Sequence, residues 1–505
     1  MKLSISLCVP LTVLALFWAS VKSTPSLIQA PVLKWQYAGC TSWCMTGWYA
    51  SPAVADLDGN GTHEVIWASY KVFVVDGQTG DEVWSVYTGH DRSYAGSDYV
   101  GRTWPGVVVA DVDHNGDLEI VTAHSGGYVS VYNHDGYFFP NWPRRPAPSS
   151  ELRSLAVYDL DGNGDLEIIV ASTSFGSDEE WYVYEHNGTL RAGWPQLTSG
   201  CCAAGCFNEN VAAGDVDGDG KGELVAPSDV HYMCAFEANG AVIPAHSMFA
   251  GETWCEVGIA VDLVAEKRGW VNCGSEHRPN FADSAPIIVD VNNDGEQEVA
   301  VVGNVYNCEG TYTSLYNMIF LREPDLSRFN EEGFDWRVIP APEPGAAPLS
   351  EDWNVIETCQ PNPVAVDLDG DSYLEMLYPS YDGRMHAYWL DKTEHHNWPY
   401  SVYKPSEGVF RFASEPAVAD LDNDGHAEVI FGSWPQKGGN RRGKLHILDM
   451  YGNVIHEVSV PAPLSGNWNG ILGAPTLANI DGDPDLEVVV GTAQSGICAY
   501  DLLGT

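Results

Sequence analysis

An all-β fold, a β-propeller of eight four-stranded blades, is predicted by three observations: an acidic nonamer that recurs eight times, apolar runs of strand length on both sides of each copy, and two chain ends that look like complementary parts of one blade. Seven blades plus one irregular unit is the alternative count.

The repeats come first because they set the period. ADLDGNGTHEV from Ala55 returns as ADVDHNGDLEI at Ala110, YDLDGNGDLEI at Tyr158 and GDVDGDGKGEL at Gly214. It continues as VDVNNDGEQEV at Val289, VDLDGDSYLEM at Val366, ADLDNDGHAEV at Ala419 and ANIDGDPDLEV at Ala478. Successive copies are 55, 48, 56, 75, 77, 53 and 59 residues apart, a spacing that suits one blade per copy with extra chain in units four and five.

Each copy has the same surroundings. An apolar run such as SPAVAD leads in, and one such as EVIWAS or EVVVGT leads out; both are rich in Val and bounded by small residues, as strands are. An alternating aromatic strand ending at a glycine follows, as in KVFVVDG and KLHILDMYG. A fourth strand is predicted around a tryptophan: Trp84, Trp142, Trp194 and Trp398, which the repeat assigns to packing between blades. No segment shows sustained helical periodicity. The chain stops after the third strand of unit eight, while APVLKWQYAG near the start reads as an orphan fourth strand. Pairing Val32–Tyr37 with unit eight would close the ring and remove an open sheet edge.

Residues 1–23 read as a signal peptide: Lys2, an apolar run from Leu3 to Phe17, then small residues from Ala19 to Ser23. Residues 24–505 form the single propeller domain, expected to be secreted and extracellular, with no run long enough to span a membrane. Twenty-five Lys+Arg against 69 Asp+Glu give a formal charge of −44, which excludes nucleic acid as a partner and asks for a cation. Eleven cysteines remain after Cys8 leaves with the signal. The close sets Cys40/Cys44 and Cys201/Cys202/Cys206 suit local disulfides, and the odd count leaves at least one thiol unpaired within the chain.

The nonamer explains the acidity. In the first copy Asp56, Asp58 and Asn60 fall on alternate residues, Gly61 permits a sharp turn, Thr62 offers its carbonyl and Glu64 closes the set. Oxygen ligands at positions one, three, five, seven and nine suit a hard cation with six or more oxygens, hence Ca2+, up to eight ions. The corresponding sets are Asp111, Asp113, Asn115, Asp117 and Glu119 in the second loop, and Asp159, Asp161, Asn163, Asp165 and Glu167 in the third. The fourth has Asp215, Asp217, Asp219, Lys221 and Glu223; the fifth, Asp290, Asn292, Asp294, Glu296 and Glu298. The sixth has Asp367, Asp369, Asp371, Tyr373 and Glu375, and the seventh Asp420, Asp422, Asp424, His426 and Glu428. The eighth has Asn479, Asp481, Asp483, Asp485 and Glu487. Ser372 in place of the turn glycine, and Asn479 with Pro484, mark the sixth and eighth as the weakest sites.

Loops, strand runs and ring closure together resemble the FG-GAP/VCBS repeat family, the calcium-binding propellers of integrin α-subunit heads, fungal lectins and some polysaccharide lyases. The resemblance spans about Val32 to Leu503 and implies calcium in the hairpin between the first two strands of each blade. It transfers metal-ligand positions and nothing more.

Three functions compete. The first is a secreted binding module for glycans or extracellular matrix, with Trp254, Trp270, His277 and Arg278 as contacts on a face built by the long fourth and fifth units. The second is a polysaccharide lyase on uronate-containing polymers, whose base and carboxylate-binding groups would come from His277, Arg278, Arg384, His386 and Tyr388. The third is a structural or adhesive calcium protein. Of two glycosylation sequons, Asn187 is expected to carry sugar in a eukaryotic host, while Asn60 stays bare as a metal ligand.

Overall fold

The computed structural model describes residues 28–39, 50–176, 179–196, 203–207, 210–269, 276–306, 316–341, 355–356, 359–483 and 485–502. Residues 1–23, read above as a signal peptide, and Cys40, Cys44, Cys201, Cys202 and Trp270 lie outside them.

Eight short first strands form the wall of a central ring: Ala53–Ala55, Val108–Ala110, Leu152–Tyr158, Ala212–Gly214, Ile287–Val289, Val364–Val366, Arg411–Ala419 and Thr476–Ala478. Each touches the next, and the eighth touches the first. The blade count is therefore eight. The second strands, such as Glu64–Ala68, Glu119–Ala123 and Glu375–Pro379, are buried along their whole length, which is why they read as unbroken apolar runs. Val32–Tyr37 pairs antiparallel with Gly496–Asp501, so the start of the chain supplies the outer strand of blade 8 and closes the ring.

One expectation is corrected. Blades 1, 6, 7 and 8 have four strands, but in blades 2, 3 and 4 the fourth is reduced to isolated bridges such as Tyr132–Phe138, Tyr184–Leu190 and Phe236–Val242. In blades 2 and 3 the chain meets Trp142-Pro143 and Trp194-Pro195 there, and proline has no N–H to extend the ladder. The insertion of unit four also holds one short helix, Leu263–Arg268, capped by Asp262 at one end and Gly269 at the other. Six residues are too few to register as a helical period.

The recurrent tryptophans do join blades, and through their polar edge as well as their area. The indole N–H of Trp35 donates to Gly77 O at 2.7 Å, Trp84 to His134 O at 3.0 Å, Trp142 to His186 O at 2.8 Å and Trp194 to Ala238 O at 3.2 Å. Trp336 reaches Leu390 O and Trp398 reaches Met450 O, both at 3.0 Å. In each case one blade is tied to a turn of the next.

Candidate metal loops and an inter-blade cleft

The first seven nonamers share one hydrogen-bond pattern. The carboxylate at position one accepts backbone N–H groups across the turn: Asp56 takes Asn60 and Gly61, both at 2.9 Å, and Asp111 takes Asn115 at 2.9 Å and Gly116 at 2.8 Å. The glycine after position five has φ of 89° in the first loop and 99° in the second, a region closed to most side chains. Ser372 adopts φ 77° in its place and keeps the bond to Asp367 at 3.0 Å, so the sixth loop retains the common shape. The side chain at position two, such as Val112, Leu160 or Leu368, points down and is buried, which leaves positions one and three on the open side.

The closing glutamate is used twice. One oxygen accepts the N–H of position two in all eight loops, from Leu57 to Glu64 at 3.0 Å through to Ile480 to Glu487 at 2.8 Å. The other oxygen of Glu167, Glu223, Glu298, Glu375 and Glu487 is buried with no hydrogen-bond partner, as is Oδ1 of Asp113, Asp215 and Asp369. Burying such oxygens without a partner costs of order 1–3 kcal/mol each. Ligand oxygens of Asp56, Asp58 and Glu64 lie within 4.8 Å of one another, as do the equivalents in loops two, three and four. The residues thus fit a bound cation, which would satisfy the orphaned oxygens together.

Burial, aided by the neighbouring aspartates, pushes Glu119, Glu223 and Glu487 up to about 7 and Glu375 up to about 8. The sequence reading missed a further carboxylate beside several loops, at the end of the third strand. Asp76, Glu237 and Glu323 act electrostatically on Glu64, Glu223 and Glu298 respectively. For Asp76 and Glu237 the signal was present in the acidic residue before the third-strand glycine turn; Glu323 has no glycine after it.

The eighth loop departs from the others. Asn479 turns its amide nitrogen toward Asp483 O, and Lys34 of the closing strand pairs with Asp481.

A cleft of about 1080 Å3 opens between blades 4 and 5 on the loop face. It runs from Ala213, Gly214 and Ile288 past the loop residues Asp215, Asp217 and Glu296 to Asp325, Asn330 and Glu331. A missing tryptophan explains it. Backbone N–H groups of Phe139, Arg191 and Ile243 donate to Val131, Val183 and Ala235, which puts the three residues in one register; three positions further on stand Trp142, Trp194 and His246. His246 is too short to cover the junction. Its backbone N–H instead donates to Asp325 O at 2.7 Å.

The cleft lies in the units where a ligand face was expected, but on other residues. Trp254 is corrected: it is 0% exposed and fills the core between blades 4 and 5 with Val257, Phe281 and Val301, so it offers no face to a ligand. His277 and Arg278 are half-buried and do not line the cleft. Cys234 and Cys255, both buried, form a disulfide that anchors the same insertion.

The catalytic candidates of blade 6 are enclosed. His386 is 0% exposed, gripped by Asp382 at 3.1 Å and Glu394 at 3.0 Å, and Tyr388 stacks on Tyr378 beside it. Arg384 is half-buried, 3.8 Å from Asp382. His386 and Tyr388 do share a strand face, but that face is interior.

Comparison with known proteins agrees with the geometry. The FG-GAP-like repeat profile matches residues 111–170, 159–226 and 367–431. The chain is therefore an eight-bladed β-propeller that carries FG-GAP-like repeats in those three stretches. Among curated proteins none matches it in sequence. Among solved structures, the V. cholerae biofilm matrix protein Bap1 aligns with TM-score 0.53 and 13% identity, over 94% of this chain and 91% of that one. The exotype rhamnogalacturonan lyase YesX aligns with TM-score 0.49 and 15% identity, over 93% and 75%. The rhamnogalacturonan lyase PL11 of Bacillus licheniformis gives 0.47 and 14%, over 94% and 75%. At these identities the likeness is one of fold.

Proposed function

We propose that this protein is an exported, calcium-stabilised propeller that binds glycan or another extracellular-matrix polymer in the cleft between blades 4 and 5. The cleft is the observation that carries this reading. It arises where one blade-joining tryptophan is replaced by a smaller polar residue, and it lies against the fourth metal loop. Its wall alternates donors and acceptors (Lys267, Asn330, Asp325) with the apolar surfaces of Tyr158, Met248 and Ile288. A sugar ring offers the matching combination of hydroxyls and C–H face. Calcium is the ion of choice because every side-chain ligand is oxygen and each loop supplies several carboxylates.

The lyase reading has less support. His246 is the histidine in the cleft, but its Nδ1 accepts Met248 N–H at 3.0 Å. The neutral ring therefore carries its proton on Nε2 and is a donor, with no lone pair facing the cleft to take a substrate proton. A glycan array probed in calcium and in chelator tests binding, run beside a uronate-polymer assay for unsaturated product. Calcium-dependent binding that is lost in Asn330→Ala and His246→Trp supports the cleft. Turnover without retention points to the lyase, and binding unaffected by either variant removes the cleft.

A further inference from the structure

The third metal loop differs from the others in what lies against it. The guanidinium of Arg191 sits 2.9 Å from Asp161 Oδ2, 3.1 Å from Glu167 Oε1 and 3.2 Å from Glu185 Oε1. Asp161 and Glu167 are positions three and nine of the nonamer. Resting on the calcium reading of the loops, we infer that Arg191 takes the place of the ion in the third loop, so that blade 3 closes without metal.

The internal register makes the substitution visible. Phe139, Arg191, Ile243 and Phe329 donate their N–H groups to the third strands of blades 2, 3, 4 and 5 in the same way. Three of these positions are apolar and pack against the blade; only the third blade places a cation there. The side chain is held along its length, since Nε donates to Ala238 O of blade 4 at 3.0 Å. Its side chain is only 12% exposed and that of Glu167 is 0% exposed.

Two facts then oppose a calcium ion. A divalent cation on Asp161 and Glu167 would lie within a few ångströms of the guanidinium, and like charges at that distance in a half-buried site repel strongly. Moving Arg191 aside would leave a desolvated cation without its carboxylates, which costs more than the pair itself contributes. The other loops lack this arrangement among the described residues. Lys221 pairs with Asp219 at 2.9 Å but is exposed and can swing away. Trp389 donates to Asp369 at 3.0 Å and is neutral. Lys34 pairs with Asp481 at position three but forms no ion pair with Glu487 at position nine among the described residues, whereas Arg191 stands 3.1 Å from Glu167 Oε1 as an ion pair without a hydrogen bond.

Calcium per chain, counted by native mass spectrometry and elemental analysis of the full mature protein, tests this. The wild type is expected to hold no more than seven ions, and Arg191→Ile, which installs the blade 4 residue, to hold one more than wild type. Asp159→Asn, which keeps one of the two oxygens that accept the loop's backbone N–H groups, is expected to leave the count unchanged, whereas Asp215→Asn in the fourth loop lowers it by one. Eight ions in the wild type, or a loss of one in Asp159→Asn, overturns the inference while leaving the calcium reading intact. A folded Arg191→Ile with the wild-type count overturns it equally. No calcium in any of these proteins overturns both.

Discussion

The backbone N–H of Val216 donates to Glu223 Oε2 at 2.8 Å, so the last residue of the fourth metal loop also clamps its second. The free oxygen of Glu223 is left for a cation. These two roles separate by mutation. Glu223→Gln keeps an acceptor for Val216 but replaces the ion-facing oxygen with an amide or loses its charge. It should fold at close to wild-type stability in chelator, with one fewer calcium. Glu223→Ala loses both and leaves a buried N–H unpaired, costing about 1–3 kcal/mol even without calcium. Equal denaturation midpoints for the two variants in chelator would show that the clamp contributes nothing.

Metal-free protein should be unusually sensitive to neutral pH. Burial raises Glu119, Glu223, Glu428 and Glu487 to about 7 and Glu298 and Glu375 to about 8 in the folded chain. A folded pKa above the unfolded one favours folding fully below the unfolded value, about 4.5, and this contribution is lost as pH rises through 7 to 8. On the proposed reading, calcium would replace the proton as the neutralising charge. Thermal melts of metal-stripped protein should therefore fall between pH 5 and pH 8, and added calcium should raise Tm most at pH 8. A flat profile without metal would contradict the burial of these side chains.

The metal loops were legible in the sequence because their ligands are local: nine residues hold the carboxylates, the turn and the clamp. Ring closure was legible because Val32–Tyr37 had no partner nearby and the last unit lacked a strand. Arg191 was not, since it reaches Asp161 from 30 residues away through the fold-back of the third blade, and nothing in its neighbourhood resembles a ligand motif. Trp254 was misjudged for the opposite reason. It lies in a long insertion with nearby charges, and only the packing of blades 4 and 5 shows that the insertion folds inward at that point.

His386 should behave as a structural cation. Burial alone would disfavour its charged form, but the hydrogen bonds and charges of Asp382 and Glu394 outweigh this and raise it to about 9. The stabilisation is fully present below the unfolded value near 6.5 and is lost as pH rises through 9. Removing one partner of a buried ion cluster costs about 3–5 kcal/mol. His386→Gln should therefore be destabilised by that order at pH 7 in urea melts with calcium present, and the gap to wild type should narrow toward pH 10. A gap independent of pH would mean that the ring is neutral in the folded protein.

The closing strand is the last point of test, and Trp35 decides it. Its indole N–H donates to Gly77 O at 2.7 Å, and its ring lies against Gly80, where an added Cβ would come within 2.7 Å of it. The side chain is buried at the seam between blades 8 and 1, packed with Val75, Val489 and Ala499. Trp35→Phe removes the hydrogen bond and keeps most of the apolar area, so a loss of about 1 kcal/mol is expected. Trp35→Ala removes both and should cost about 3–5 kcal/mol. Because Val32–Tyr37 also covers the edge of Gly496–Asp501, the alanine variant should expose an unpaired strand and aggregate below its melting transition, while the phenylalanine variant stays monodisperse by light scattering. If Trp35→Ala melts within 1 kcal/mol of wild type and remains monodisperse, the ring is held shut by its inner strands and the N-terminal strand is only an ornament on its rim.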